Sequence, residues 1–121
     1  MQADDQTCDT SRSIVWLGSS LSDLRACSPR MRQLAGRELW RLQRGHAARD
    51  YKHMPDIGPG VREIRIHAET ETRIIVVLSL STSVCVLHVF TKKSERTGKR
   101  DIALARRRYA ELKRELMRGV K

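Results

Sequence analysis

The chain is expected to fold as a small α+β domain, an antiparallel sheet with helices packed on one side, in the order β-α-α-β-β-β-α. Three observations lead there. Between residues 61 and 93, segments rich in β-branched residues follow one another through the connectors "AETE" and "STS", which are short enough for hairpins. Flanking this region, two stretches set apolar residues at helical steps among arginines. The length, 121 residues, suits one core and leaves little room for a second.

Taken in order, Met1 to Arg12 is polar and lacks periodicity, so 1–12 is expected to be a disordered acidic tail and 13–121 the folded domain. "SIVWLG" is a short apolar run stopped by glycine and reads as the first strand. "SSLSDLRACSPR" offers serine caps before Pro29, which predicts a short helix ending ahead of the proline. From Pro29, Met31, Leu34, Leu39 and Leu42 recur at helical spacing, with Ser28 as N-cap, Pro29 at the first helical position and Gly45 near the end. "RDYKHMPDIGPG" reads as a Pro- and Gly-rich loop. The strands "VREIRIH", "TRIIVVLSL" and "SVCVLHVFTKK" follow. A last helix over about Lys99 to Met117 should bury Ile102, Ala105, Tyr109, Leu112 and Leu116, leaving Arg106, Arg107, Arg108, Lys113 and Arg114 on its solvated face.

Charge narrows the function. The net charge is +10, and the first twelve residues hold three Asp and one Arg, so the rest of the chain carries +12. Such a field draws polyanions, with nucleic acid first among them. Cys8, Cys27 and Cys85 show neither CxxC nor Cys-x-x-His spacing, which favours reduced thiols in a cytoplasmic protein over a disulfide framework or a zinc site. The longest apolar run, "IIVVLSL", is too short for a membrane span, and the acidic N-terminus is unlike a signal peptide.

Within "VREIRIH" the side chains alternate, so Ile64 and Ile66 share one face with Arg62, while Glu63, Arg65 and His67 share the other with Val61. The isoleucines belong to the core, and the charged set should line an open groove. Arg73 leads the next strand, and Lys92 and Lys93 end the last one on opposite faces, so that one of them can reach the same surface. Arginine forks match phosphate oxygens bidentately, which suits this groove to a phosphodiester. Read alone, Glu63 with Arg65 is an ordinary surface pair. His88, alternating with Val86 and Phe90, reads as a satisfied core histidine, and "TGKR" lacks the upstream glycine of a phosphate loop.

The run "YKHMPDIGPGVREIRI", the Arg-led strand after it, "VLHVFTKK" and "TGKRDIALARRRYAEL" together resemble the RelE/HigB toxin superfamily, in particular its phage-derived, HigB-like branch. The resemblance covers about Ile14 to Glu115. It implies the RelE-like microbial RNase fold and a ribosome-dependent mRNA endoribonuclease, the toxin of a type II toxin–antitoxin pair. Its partners would be mRNA on the ribosome, rRNA and a helix-turn-helix antitoxin. On this resemblance the catalytic positions fall on Glu63, Arg65, Arg73 and Lys93, and RNA-binding positions on Lys52, Arg62 and Lys92. Thr72 stands where relatives often carry an aromatic residue, and Tyr109 sits at a core position away from the terminal Tyr or His that some relatives use.

RNA supplies its own nucleophile, the 2′-hydroxyl, so the enzyme's task is alignment, proton transfer and stabilisation of a dianion. Glu63 is the candidate base, Arg65 and Arg73 the charge stabilisers, and Lys93 the aid to the leaving 5′-oxygen. With no carboxylate cluster in the sequence, no metal and no cofactor are expected. Two alternatives have different chemistry: a ParE-like toxin that inhibits gyrase by protein–protein contact, and a non-catalytic basic RNA-binding protein.

Overall fold

Ser28 and Pro29 start the longer N-terminal helix as their chemistry requires. The Ser28 hydroxyl accepts from the Met31 amide at 3.1 Å, and Pro29, which has no N–H to satisfy, occupies the first turn. The computed structural model describes residues 12–78, 82–92 and 97–119. Their elements are β1 (Ile14–Trp16), α1 (Ser20–Arg25), α2 (Pro29–Gln43), β2 (Tyr51–His53), β3 (Val61–His67), β4 (Glu71–Val77), β5 (Val84–Lys92) and α3 (Lys99–Gly119). The tail up to Ser11, and Lys93 with its neighbours, lie outside the described residues. Arg12 is tied to the fold, since its amide donates to the Gln43 carbonyl at 3.0 Å and its own carbonyl accepts from Gln43 Nε2 at 2.7 Å.

The fold is α+β on a five-stranded mixed sheet, in the order β1-β5-β4-β3-β2. Strands β2 to β5 pair antiparallel, as the short connectors require, but β1 joins β5 in parallel, with Ile14 opposite Val84. The fifth strand, β2, forms inside the stretch expected to be a loop. It has three residues, two of them exposed, and it exists because Tyr51, Lys52 and His53 pair with Ile64, Glu63 and Arg62. Nothing in its own hydrophobic pattern announces it.

The expectation of helices on one side of the sheet is corrected. Helices α1 and α2 bury Leu24, Met31, Ala35, Leu39 and Leu42 against Ile64, Ile66, Ile74, Val76 and Val86. Helix α3 buries Ala105, Tyr109 and Leu112 against Val61, Ile75, Val77, Cys85 and Leu87 on the opposite face. The reason is legible in "IIVV", where both faces of β4 are aliphatic and each must leave water. A bulge in β5 adjusts the fit. The pairing steps from Ile75 opposite His88 to Val76 opposite Val86, leaving Leu87 as the extra residue. That slip puts His88 with Phe90 on the α3 side, where its Nε2 lies 2.8 Å from Asp101 Oδ1, while Val86 stays on the other. The simple alternation expected for these three side chains is broken there.

The "IGPG" turn before β3 is clamped by α3. Tyr109 donates its hydroxyl to the Pro59 carbonyl at 3.2 Å, and Arg106 Nε donates to that of Asp56 at 2.8 Å. A Cβ on Gly58 would come within 2.5 Å of the Tyr109 ring, and Gly60 turns the chain at φ 78°. Gly58→Ala is therefore expected to lower stability by about 1–3 kcal/mol through overpacking, seen as a reduced midpoint in urea unfolding. Arg108, placed by the sequence on the solvated face, instead stitches elements together. Its NH1 donates to the Leu87 carbonyl at 2.8 Å and its NH2 to Ser19 Oγ at 3.2 Å. No helix among the described residues is long and apolar enough to cross a membrane.

Candidate functional site

Val61, Glu63, Arg65 and His67 follow one another along the α3 face of β3. Where α3 covers the strand, Val61 and Glu63 are only 1% exposed, and beyond it Arg65 and His67 open progressively to solvent. Arg73 stands directly opposite Arg65 on β4, so the two guanidiniums share one surface. Two like charges side by side need a counter-charge. Glu63 supplies it, with Oε1 at 3.8 Å from both Arg65 Nε and Arg73 Nε. Its second oxygen accepts a hydrogen bond from Thr97 Oγ1, at the start of the last helical segment.

The outer ends of the arginines meet further carboxylates. Arg73 NH1 donates to Glu71 Oε1 at 2.9 Å, and Arg65 NH1 lies 3.8 Å from Asp50 Oδ1. His67 bridges these two acids, with Nδ1 at 2.8 Å from Glu71 and Nε2 at 2.6 Å from Asp50. The bridge is best made by an imidazolium that donates from both nitrogens. The hydrogen bonds to Asp50 and then to Glu71 accordingly raise the His67 pKa, and the bond from His67, followed by that from Arg73, lowers that of Glu71. Since the folded value of His67 lies above its ordinary one, its stabilising contribution is full below the ordinary value and is lost as pH rises through the raised one. At 55% exposure the contribution is small. An NMR titration should find the His67 midpoint above the ordinary 6.5, returning toward it in Asp50→Asn.

Lys92 completes the surface from β5. It lies opposite Glu71 and is 8% exposed. Burial first lowers its pKa, and the cations Arg73, Arg65 and Lys52 lower it further against the opposing pull of Glu63. Lys52, opposite Glu63 on β2, adds an exposed amine on the same face. Of the residues expected from the sequence, the structure thus brings Glu63, Arg65, Arg73, Lys92 and Lys52 together. Arg62 it separates. That side chain lies on the α2 face of β3 with its guanidinium 5.0 Å from the centre of the Tyr51 ring. Lys93, expected to serve the leaving group, falls outside the described residues, and the lysine that points into the site is Lys92. The sequence reading missed Asp50, Glu71 and Thr97, which reach the site only through the pairing of β2 and the return of the chain into α3. Among the described residues, no group of three or more His, Cys, Asp and Glu side chains is arranged to hold a metal ion.

A sheet-face arginine pair seated on a buried carboxylate, with a partly desolvated lysine beside it, is an anion site fitted to a phosphodiester. The class follows from comparison. Residues 22–110 match the family model described as "Phage derived protein Gp49-like (DUF891)". The chain belongs to this family, a family of RelE-like toxins of toxin–antitoxin systems. No curated protein and no solved structure matches it.

Proposed function

We propose that the protein is the toxin of a type II toxin–antitoxin pair and an endoribonuclease that cuts mRNA on the ribosome, held in check by a cognate helix-turn-helix antitoxin in the cytoplasm. Family membership supports the toxin role. One observation carries the chemistry: Arg65 and Arg73 stand on one surface, each Nε 3.8 Å from the same carboxylate oxygen of Glu63.

In this reading the scissile phosphate exchanges places with the Asp50 and Glu71 carboxylates at the outer guanidinium nitrogens. The 2′-oxygen attacks phosphorus and gives its proton to water, and the P–O5′ bond breaks. Arg65 and Arg73 bear the added negative charge of the pentavalent species. Lys92 hands a proton to the departing 5′-oxygen, helped by a pKa that its surroundings lower. The products are a 2′,3′-cyclic phosphate and a 5′-hydroxyl. Glu63 is too buried to reach a substrate, so its part is to position both arginines, and the role of base that the sequence suggested for it is withdrawn. Primer extension on mRNA from a translating extract tests the reading. Cuts at fixed codon positions with 5′-hydroxyl ends are expected. DNA breaks stalled on gyrase, or RNA binding without cuts, would replace this reading with another class.

A further inference from the structure

The sequence carries more arginine than this site uses, and α2 holds much of it. Arg30, Arg37 and Arg44 are exposed and fall on one stripe of the helix at steps of seven residues, spanning about 21 Å. Trp40, on the same side, is 55% exposed, and its ring is met by the Arg44 guanidinium at 5.1 Å. The only acid of the helix, Glu38, is 7% exposed and turned away, accepting from the Arg49 amide at 2.9 Å. The stripe therefore has no competing carboxylate of its own helix. Beyond its C-terminal end it runs into an open cavity of about 410 Å³, where Arg12 and Arg62 flank Tyr51 and no Asp or Glu contributes to the lining. Because α2 covers the sheet face opposite α3, this basic surface looks away from Arg65 and Arg73.

We infer that the α2 stripe and the Arg12–Arg62 cavity form a second RNA-docking surface, which grips the sugar–phosphate backbone of a folded RNA while the opposite face holds the strand to be cut. The charge argues for a polyanion, since a row of unpaired guanidiniums releases counterions when it meets phosphates. The exposed indole argues for nucleic acid among polyanions, because every nucleobase offers a face for stacking and an acidic peptide does not. The surface does not depend on cleavage, and a chain without nuclease activity would still bind through it.

The test uses the full chain and a short labelled RNA hairpin, with anisotropy measured across a salt series. Arg30→Gln, Arg37→Gln and Arg44→Gln combined is expected to weaken binding at least tenfold and to reduce the slope of log K against log salt by about 2 to 3. Being exposed, these replacements should leave the melting temperature nearly unchanged. Arg65→Ala should bind the hairpin within about twofold of the unaltered protein. Hairpin RNA should also quench tryptophan fluorescence, and Trp40→Phe should remove that quenching, because Trp16 packs against the core. Unchanged affinity and slope in the combined variant, or quenching that persists in Trp40→Phe, would overturn the inference. Loss of hairpin binding in Arg65→Ala with the stripe intact would do the same, whether or not the protein cuts mRNA.

Discussion

Glu63→Ala should lower the free energy of unfolding by about 3–5 kcal/mol, which for a chain of 121 residues means a fall of roughly 10–20 °C in Tm. Both guanidiniums lean on one oxygen of this side chain, and Arg73 is itself 7% exposed. Removing the carboxylate leaves two positive charges facing each other across β3 and β4 with no counter-charge between them, and opens a small void under Thr97. Calorimetry gives the size of the effect. A control separates charge from volume. Combining Glu63→Leu with Arg73→Met removes the charge and its partner together, and should recover most of the lost stability, because a buried ion pair can often be replaced by apolar side chains at little cost. The double variant should nevertheless cut no RNA. Failure of Glu63→Ala to melt earlier would mean that the arginines draw their counter-charge from Asp50 and Glu71 instead.

The second large effect is expected in Arg73→Ala, with cleavage reduced by about 10³–10⁵, as when a transition-state arginine is removed in phosphoryl transfer. Arg73 is the more deeply held member of the pair, with Nε toward Glu63 and NH1 toward Glu71, so its fork is oriented before substrate arrives. Arg73→Lys keeps the charge but loses the fork, and should recover only part of the rate. Single-turnover cleavage of a short RNA in translating ribosomes measures both. Stability will also fall in Arg73→Ala, so each rate belongs beside a thermal melt. A folded Arg73→Ala protein that retained its rate would remove Arg73 from the chemistry.

Much of this architecture could be read before any coordinates. Ser28 and Pro29 gave the start of α2, the short connectors gave the antiparallel β3–β4–β5 meander, and the step-of-four aliphatics gave the buried side of α3. Alternation along "VREIRI" placed Glu63 and Arg65 on one face, and the structure adds that Arg73 faces them from β4. The parts that stayed hidden share a cause. Strand β2 has no apolar pattern and is made by its neighbour. The bulge at Leu87 depends on a mismatch between two strands, not on either sequence. Arg108 reads as solvated until the Leu87 carbonyl and Ser19 come within reach. Asp50 and Glu71 become site residues only when β2 and the turn before β4 fold back over β3. Local propensity speaks for elements, while partners separated by tens of residues are fixed by topology.

Primer extension on a reconstituted translation reaction, comparing the unaltered chain with folded Arg65→Ala, bears most directly on whether the shared guanidinium surface does the cutting. Arg65 is suited to this role because it is half-buried, so its loss disturbs the fold less than that of Arg73. Discrete codon-position cuts ending in 5′-hydroxyls, absent when Arg65 is replaced, are the expected result. Equal cutting by both proteins would contradict it.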